Sequence, residues 1–284
     1  MEFSKMESIK LFYLYGTFFC ILTVVNAYLV PNYCCLKCGS RHVMCKYKKS
    51  GIREHCKHIS KISLTSREKL AALTTLNTVR SDAALGRYDD LKAFARNMRK
   101  LEWDDELEMM AVRWAEQCGP PNTQDPCRDT IFYSVGQVVY FEYGQNPIER
   151  MVRGAYRHQK CKFLKHPYHI TDYCLPNLNF PGWNVQNYAQ GALYENYKVG
   201  CALQQTNHFT QLICNFAPGI ITRDKEIAMF TRLRDQICDS CPNNTECHAP
   251  FPGLCTFTNE ASTLQCRYFT SFLIFIGISK MWLI

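Results

Sequence analysis

The chain has no glycine-rich phosphate loop, no HExxH and no GxSxG. These absences remove the usual sequence marks of phosphoryl transfer, zinc proteolysis and serine hydrolysis. It also has no nucleic-acid motif and no internal repeat. Charged residues make up only 20%, so the formal charge of +8 leaves the protein mildly basic. Its two apolar runs, Leu11 to Val25 and Tyr268 to Ile284, are both short for a bilayer span.

Cysteine is what the chain has in quantity, 17 in all. Lys5 and Lys10 precede the first apolar run, and Val25-Asn26-Ala27 offers small residues to a signal peptidase. This reads as a secretory leader, with the mature chain starting near Tyr28. The leader carries Cys20, so sixteen cysteines remain, an even number suited to an oxidising compartment. Because about 257 mature residues can bury a sizeable core, disulfides reinforce the fold and are not its sole support.

Cysteines crowd positions 34 to 56 and 238 to 266. The expected division is a leader at 1–27, an N-terminal cysteine-rich segment at 28–62, a core domain at 63–219, a short cysteine-rich extension at 220–266 and an apolar tail at 267–284. Thr65-Ser66-Arg67-Glu68 is a capping box, which predicts a helix running towards Ala84. Leu107, Met110, Ala111, Trp114, Ala115 and Cys118 recur at helical spacing after Asp104 or Asp105. Asn146-Pro147 predicts an N-cap and first helical position, with a helix body from Ile148 to Gln159. Strands are predicted at Val135 to Tyr140, Lys198 to Leu203 and Phe209 to Phe216, where β-branched and aromatic residues cluster.

Several short stretches, in order, resemble the antigen 5 branch of the CAP superfamily, the cysteine-rich secretory and venom-allergen proteins of insects. They include Asn32-Tyr33-Cys34 with Cys38, His42-Val43-Met44-Cys45-Lys46-Tyr47, and Asn77 with Arg80 as an N-x-x-R. Trp114-Ala115-Glu116-Gln117-Cys118, Cys127-Arg128-Asp129, Val135-Gly136-Gln137, Val199-Gly200-Cys201-Ala202 and Leu212-Ile213-Cys214-Asn215-Phe216-Ala217-Pro218-Gly219 follow. The resemblance implies an α+β fold, an α-β-α sandwich with a central antiparallel sheet and disulfide-rich N- and C-terminal flanks. It also implies the pairs Cys34–Cys45, Cys38–Cys127, Cys56–Cys118 and Cys201–Cys214, each contributing on the order of 3 to 4 kcal/mol.

Many proteins of that superfamily carry two histidines and two acidic residues around a central cleft, able to hold a divalent metal. In this chain the matching positions are Leu76, Gln137, Asn187 and either Ala155 or His158. None is a carboxylate, and a single histidine at 158 binds a metal too weakly to matter, so neither metal nor cofactor is expected. Asn207-His208-Phe209-Thr210-Gln211 imitates the missing histidine signature, but it lies after Cys201, and His208 is expected to be an ordinary strand residue.

Arg150, Arg153, Arg157, Lys160, Lys162 and Lys165 form a basic stretch. It is read as a solvated face, with an anionic glycan or membrane surface as the alternative partner. Cys238, Cys241, Cys247 and Cys255 resemble the extension of insect antigen 5 relatives, and disulfides are expected there rather than zinc. Cys161 and Cys174 are expected to pair locally, Cys35 and Cys266 have no evident partner, and Asn243 heads a glycosylation sequon. The tail is read as an apolar terminus packing on the body or on a partner. Cleavage there as a lipid-anchor signal upstream of Cys266 would strand one cysteine.

These readings together predict a secreted, non-enzymatic antigen 5-like protein that binds an extracellular receptor or small apolar ligand, in reproductive fluid before saliva or venom. A sterol or lipid carrier is the alternative, and a metal-dependent hydrolase the second alternative.

Overall fold

The computed structural model describes residues 31–56, 58–87, 94–157, 183–219, 230–231, 233–247 and 249–258. The leader, the apolar tail, the Cys161 and Cys174 pair, Cys266, and residues 158 to 165 of the basic stretch lie outside them. In chain order the helices are α1 (Val43–Lys46), α2 (Ser66–Ala84), α3 (Asp105–Ala115), α4 (Ile148–Arg157) and α5 (Trp183–Ala192). The strands are β1 (Phe94–Ala95), β2 (Glu102–Trp103), β3 (Gly136–Tyr143), β4 (Lys198–Gln205), β5 (Phe209–Ala217), β6 (Phe230–Thr231), β7 (Thr245–Cys247) and β8 (Cys255–Phe257).

Local chemistry sets the helix starts. Thr65 Oγ1 accepts from the Glu68 amide at 3.3 Å while Glu68 Oε2 accepts from the Thr65 amide at 2.9 Å, a complete capping box on α2. Asp104 Oδ1 accepts from the Leu107 amide at 3.0 Å. Asp105, Glu106 and Glu108 lie in the first turn of α3 and Arg113 in its last, which suits the helix dipole at both ends. At α4 the outcome differs from the expected cap. Asn146 Nδ2 turns back and donates to the Tyr143 and Gly144 carbonyls at 2.9 and 3.2 Å, the latter shared with the Thr210 hydroxyl.

The central sheet has the order β2-β4-β5-β3. β3, β4 and β5 are antiparallel, with Gln137 opposite Asn215 and Cys201 opposite Cys214. The expected central antiparallel sheet is present, and it gains a short strand at one edge, where β2 runs parallel to β4 through Glu102–Lys198 and Trp103–Val199. β2 leads directly into α3, and α3 must cross the face of β4 and β5, so the chain enters alongside β4 in the same direction.

Side chains alternate between the two faces of the sheet. On one face Val138, Leu203, Leu212 and Phe216 pack with Leu76, Val79, Met151, Val152, Tyr188 and Ala189 of α2, α4 and α5. On the other face Val139, Ala202, Ile213 and Ala217 pack with Leu107, Met110, Ala111 and Trp114 of α3. This is an α-β-α sandwich, and the N-terminal flank completes the α3 side through Tyr33, Val43, Ile59 and Ile62. Disulfides join Cys34 to Cys45, Cys38 to Cys127, Cys56 to Cys118 and Cys201 to Cys214. Cys35 is an exposed thiol.

The C-terminal extension is bonded Cys238 to Cys247 and Cys241 to Cys255. It docks by exchanging backbone hydrogen bonds, Cys255 N to Met98 O at 2.7 Å and Lys100 N to Cys255 O at 2.9 Å. Leu254 fills a small core with Ala83, Ala84 and Met98. Asn243 is exposed in the turn before β7, where a glycan would meet no packed surface.

One buried histidine makes the flank sensitive to pH. His42 has no exposed surface; its Nδ1 accepts from the Met44 amide at 3.1 Å, and its Nε2 donates to the Asp129 carbonyl at 2.8 Å. The Met44 bond needs the neutral ring, because a protonated Nδ1 cannot accept, whereas the donation from Nε2 survives protonation. Burial lowers its pKa against a smaller opposing pull from the Asp129 carbonyl and from Asp125, Asp129 and Glu106. The unfolded chain therefore binds a proton more readily than the folded one, and stability declines as pH falls below about 6.5. Urea midpoints between pH 7.5 and 5 are expected to fall in the wild type and to fall less in His42→Gln. Equal slopes would show that His42 does not carry the effect.

Candidate functional site

Leu76 lies on the fourth turn of α2 with 1% of its surface exposed, inside the apolar cluster that α4, α5 and the sheet close around it. Its side chain has no donor atom. Ala155, on α4, is fully buried in the same cluster, and His158 lies outside the described residues. Tyr156 comes next, its ring 6.1 Å from Tyr188 in an edge-to-face pair. Its buried hydroxyl presses on Gly191, where a Cβ would lie only 1.7 Å from the phenol oxygen. Burial raises the Tyr156 pKa, and the Arg80 charge offsets part of the rise. The phenol therefore stays neutral near pH 7.

Asn187 lies on α5 with 2% exposed. Its Nδ2 donates to the Val139 carbonyl at 2.7 Å, which fastens the helix to β3, the outer strand. One turn on, Gln190 Nε2 donates to the Gly219 carbonyl at 2.9 Å. These amides hold α5 against the sheet.

Gln137 does not belong with these residues, a correction to its place in the expected tetrad. Gly136 meets Gln190 of α5, so the next residue of β3 points to the opposite face. There Gln137 Nε2 donates to Asp125 Oδ2 and to Asn215 Oδ1, both at 2.9 Å, and its Oε1 accepts from the Asp125 amide at 2.9 Å. Asn215 Nδ2 in turn donates to the Leu107 carbonyl of α3 at 2.9 Å. Arg128 Nε donates to Asp125 Oδ1 at 2.8 Å, which satisfies the buried carboxylate. The network ties the 119–135 loop to the sheet under α3, and every polar group named in it has a partner.

His208 is also corrected. It is exposed in the turn between β4 and β5, not on a strand, and its amide donates to Thr206 Oγ1 at 3.1 Å. Among the described residues, only Cys238, Cys241 and Cys255, and Cys38, Cys127 and Asp129, gather three groups of metal-ligand type. Their sulfurs are all in disulfides, which removes the thiolates a metal would need.

The arrangement around the sheet, the helices and the bonded cysteines is that of a known family. A family model described as "CAP: Cysteine-rich secretory protein family" matches residues 73–216. The chain belongs to the CAP family. Venom allergen 5 of Vespula maculifrons is 30% identical over 212 residues, covering 69% of this chain and 98% of that protein. A venom allergen 3 homolog of Dinoponera quadriceps is 36% identical over 119 residues, 39% of this chain and 51% of its own length. Na-ASP-1 shares the fold with a TM-score of 0.55 and 21% identity over 73% of this chain and 51% of the other. NaASP2, solved with zinc, gives a TM-score of 0.53 at 18% identity over 72% of this chain and all of the other. This CAP protein is therefore antigen 5-like.

Arg80, whose position the N-x-x-R pattern marks but whose role it does not disclose, is the feature sequence reasoning missed. Nε and Nη2 donate to the Arg99 carbonyl at 3.1 and 2.7 Å, and Nη2 also to the Asn196 carbonyl at 3.1 Å. Nη1 donates to the carbonyls of Leu193, at 3.2 Å, and Gly191. Asn77, one turn earlier, exchanges bonds with both the amide and the carbonyl of Leu101, at 2.8 and 3.0 Å. One face of α2 thus grips the segments leading into β2 and β4.

Proposed function

We propose that this CAP protein is secreted and acts without catalysis, as a binding or signalling component of an extracellular secretion, reproductive fluid before saliva or venom. The observation that supports the reading is how the cleft side is filled. Leu76 and Ala155 are buried apolar groups, Asn187 is committed to the Val139 carbonyl, and Gln137 faces the other side of the sheet. A divalent metal needs several deprotonated donors converging on one point, and these residues do not fit one. General acid-base chemistry fares no better, since Tyr156 is held neutral and no carboxylate lies among the four positions. What remains is a rigid, disulfide-bonded body whose loops can be read by a partner.

Two measurements test this. Titration of zinc into the purified protein is expected to give no saturable binding below about 1 mM, and incubation with peptide and ester substrates to give no turnover above background. Micromolar zinc binding abolished by His158→Ala would overturn the reading of the cleft. Mass spectrometry of reproductive fluid, saliva and venom is expected to find the chain beginning near Tyr28; its confinement to cell interiors would sink the secreted role.

A further inference from the structure

Between positions 31 and 58 the chain carries seven of its 33 lysines and arginines but one of its 25 acidic residues, Glu54. Under a tenth of the sequence therefore supplies +6 of the formal +8, while the basic stretch on α4 is partly neutralised, with Arg150 bonded to Glu142. Lys37, Arg41, Lys46, Lys48 and Lys49 are all exposed, and none forms an ion pair among the described residues. Lys46 and Arg53 gather round a single ring, 5.1 and 5.7 Å from the Tyr47 centroid.

This lobe is also held rigid. The Cys34–Cys45, Cys38–Cys127 and Cys56–Cys118 bridges bind it internally and to the core. Arg113 donates to the Tyr47 carbonyl, and the Arg53 side chain donates to Gln117 Oε1 at 2.8 Å. A cation cluster on a fixed scaffold gives up little conformational freedom when it meets a repeating anion. Apolar anchors of the kind that insert into a bilayer are scarce here: Tyr33 is buried, Tyr47 packs toward Trp114, and Ile52 is the one large hydrophobic of this segment left well exposed.

We propose that the disulfide-bound N-terminal flank, centred on Lys46, Lys48 and Lys49, is a docking surface for a sulfated polysaccharide. The polymer supplies closely spaced fixed anions, and the lysines act as point charges with freely rotating donors. Such attraction raises local concentration and association rate and weakens as salt rises. The inference concerns a surface remote from the cleft and stands independently of what the cleft binds.

The test uses the full secreted chain, immobilised heparin and anionic phosphatidylserine vesicles. Wild type is expected to be retained on heparin above physiological salt. Lys46→Ser/Lys48→Ser/Lys49→Ser is expected to bind at least tenfold more weakly with an unchanged melting temperature, because these side chains are exposed. Lys37→Ser/Arg41→Ser gives a smaller loss, and Arg150→Ser/Arg153→Ser on α4 leaves binding within twofold. Unchanged retention of the triple variant, or a loss that follows Arg150 and Arg153 instead, overturns the placement. Binding to the vesicles but not to heparin overturns the choice of partner.

Discussion

Replacing Arg80 with methionine is expected to lower the unfolding free energy by about 4 kcal/mol, enough to threaten folding of a domain of ordinary stability. The side chain is fully buried, and its guanidinium bonds four backbone carbonyls, those of Arg99, Gly191, Leu193 and Asn196. Each buried acceptor left without a donor costs about 1–3 kcal/mol. Relief from desolvating a charge offsets part of that sum, since no carboxylate among the described residues pairs with this arginine. Burial is also what lowers its pKa, to about 10, so it remains charged at physiological pH. Arg80→Lys cannot reach all four carbonyls from one ammonium, and is expected to recover less than half of the loss. Denaturant unfolding measures both, with hydrogen exchange showing the 191–196 segment opening first. A change below about 1 kcal/mol in Arg80→Met would refute this account of the grip.

Elements whose causes are local could be read directly. The Thr65–Glu68 box, the Asp104 cap and the apolar stripe of α3 depend on residues within one or two turns, and each forms at its expected position. The α5 helix was invisible because its stripe is interrupted by amides, Gln186, Asn187 and Gln190, of which Asn187 and Gln190 bond β3 and Gly219 across long sequence separations. Two-residue strands such as β1 and β2 carry too little pattern of their own. They exist because distant partners, β6 and β4, offer open backbone groups.

The candidate site shows where linear spacing stops being informative. A register along the chain assigns Gln137 to a position, but a strand has two faces, and Gln137 faces α3 with Asn215 while Val138 faces Leu76. A shift of one residue decides between joining the cleft and joining the loop network. The concentration of charge on the flank was countable from the start. What made it a surface was the exposure of five cations on a segment whose Tyr33, His42 and Val43 are buried against the core.

Gly200→Ala is expected to cost about 3 kcal/mol, at the upper end of what one added methylene does in a packed core. A Cβ at Gly200 would lie 2.1 Å from the Glu108 amide nitrogen and 2.6 Å from both the Asp104 oxygen and the Leu107 carbonyl carbon. All three are backbone atoms at the start of α3, so no side chain can swing aside. The helix itself must lift from β4. That movement would stretch the Lys198–Asp104 ion pair, 2.6 Å, and the Asn215 bond to the Leu107 carbonyl. The Gln137–Asp125–Arg128 network hangs on the same Asn215, so the 119–135 loop would loosen with the helix. Gly154→Ala on α4 is the contrasting case. Its Cβ would lie 2.6 Å from the outer ring atoms of Tyr140, a half-buried side chain that can turn, and alanine favours the helix by about 1 kcal/mol. Denaturant unfolding should separate the two variants by at least 2 kcal/mol. If both lose the same stability, the close contact of α3 with the sheet is not what demands glycine at 200.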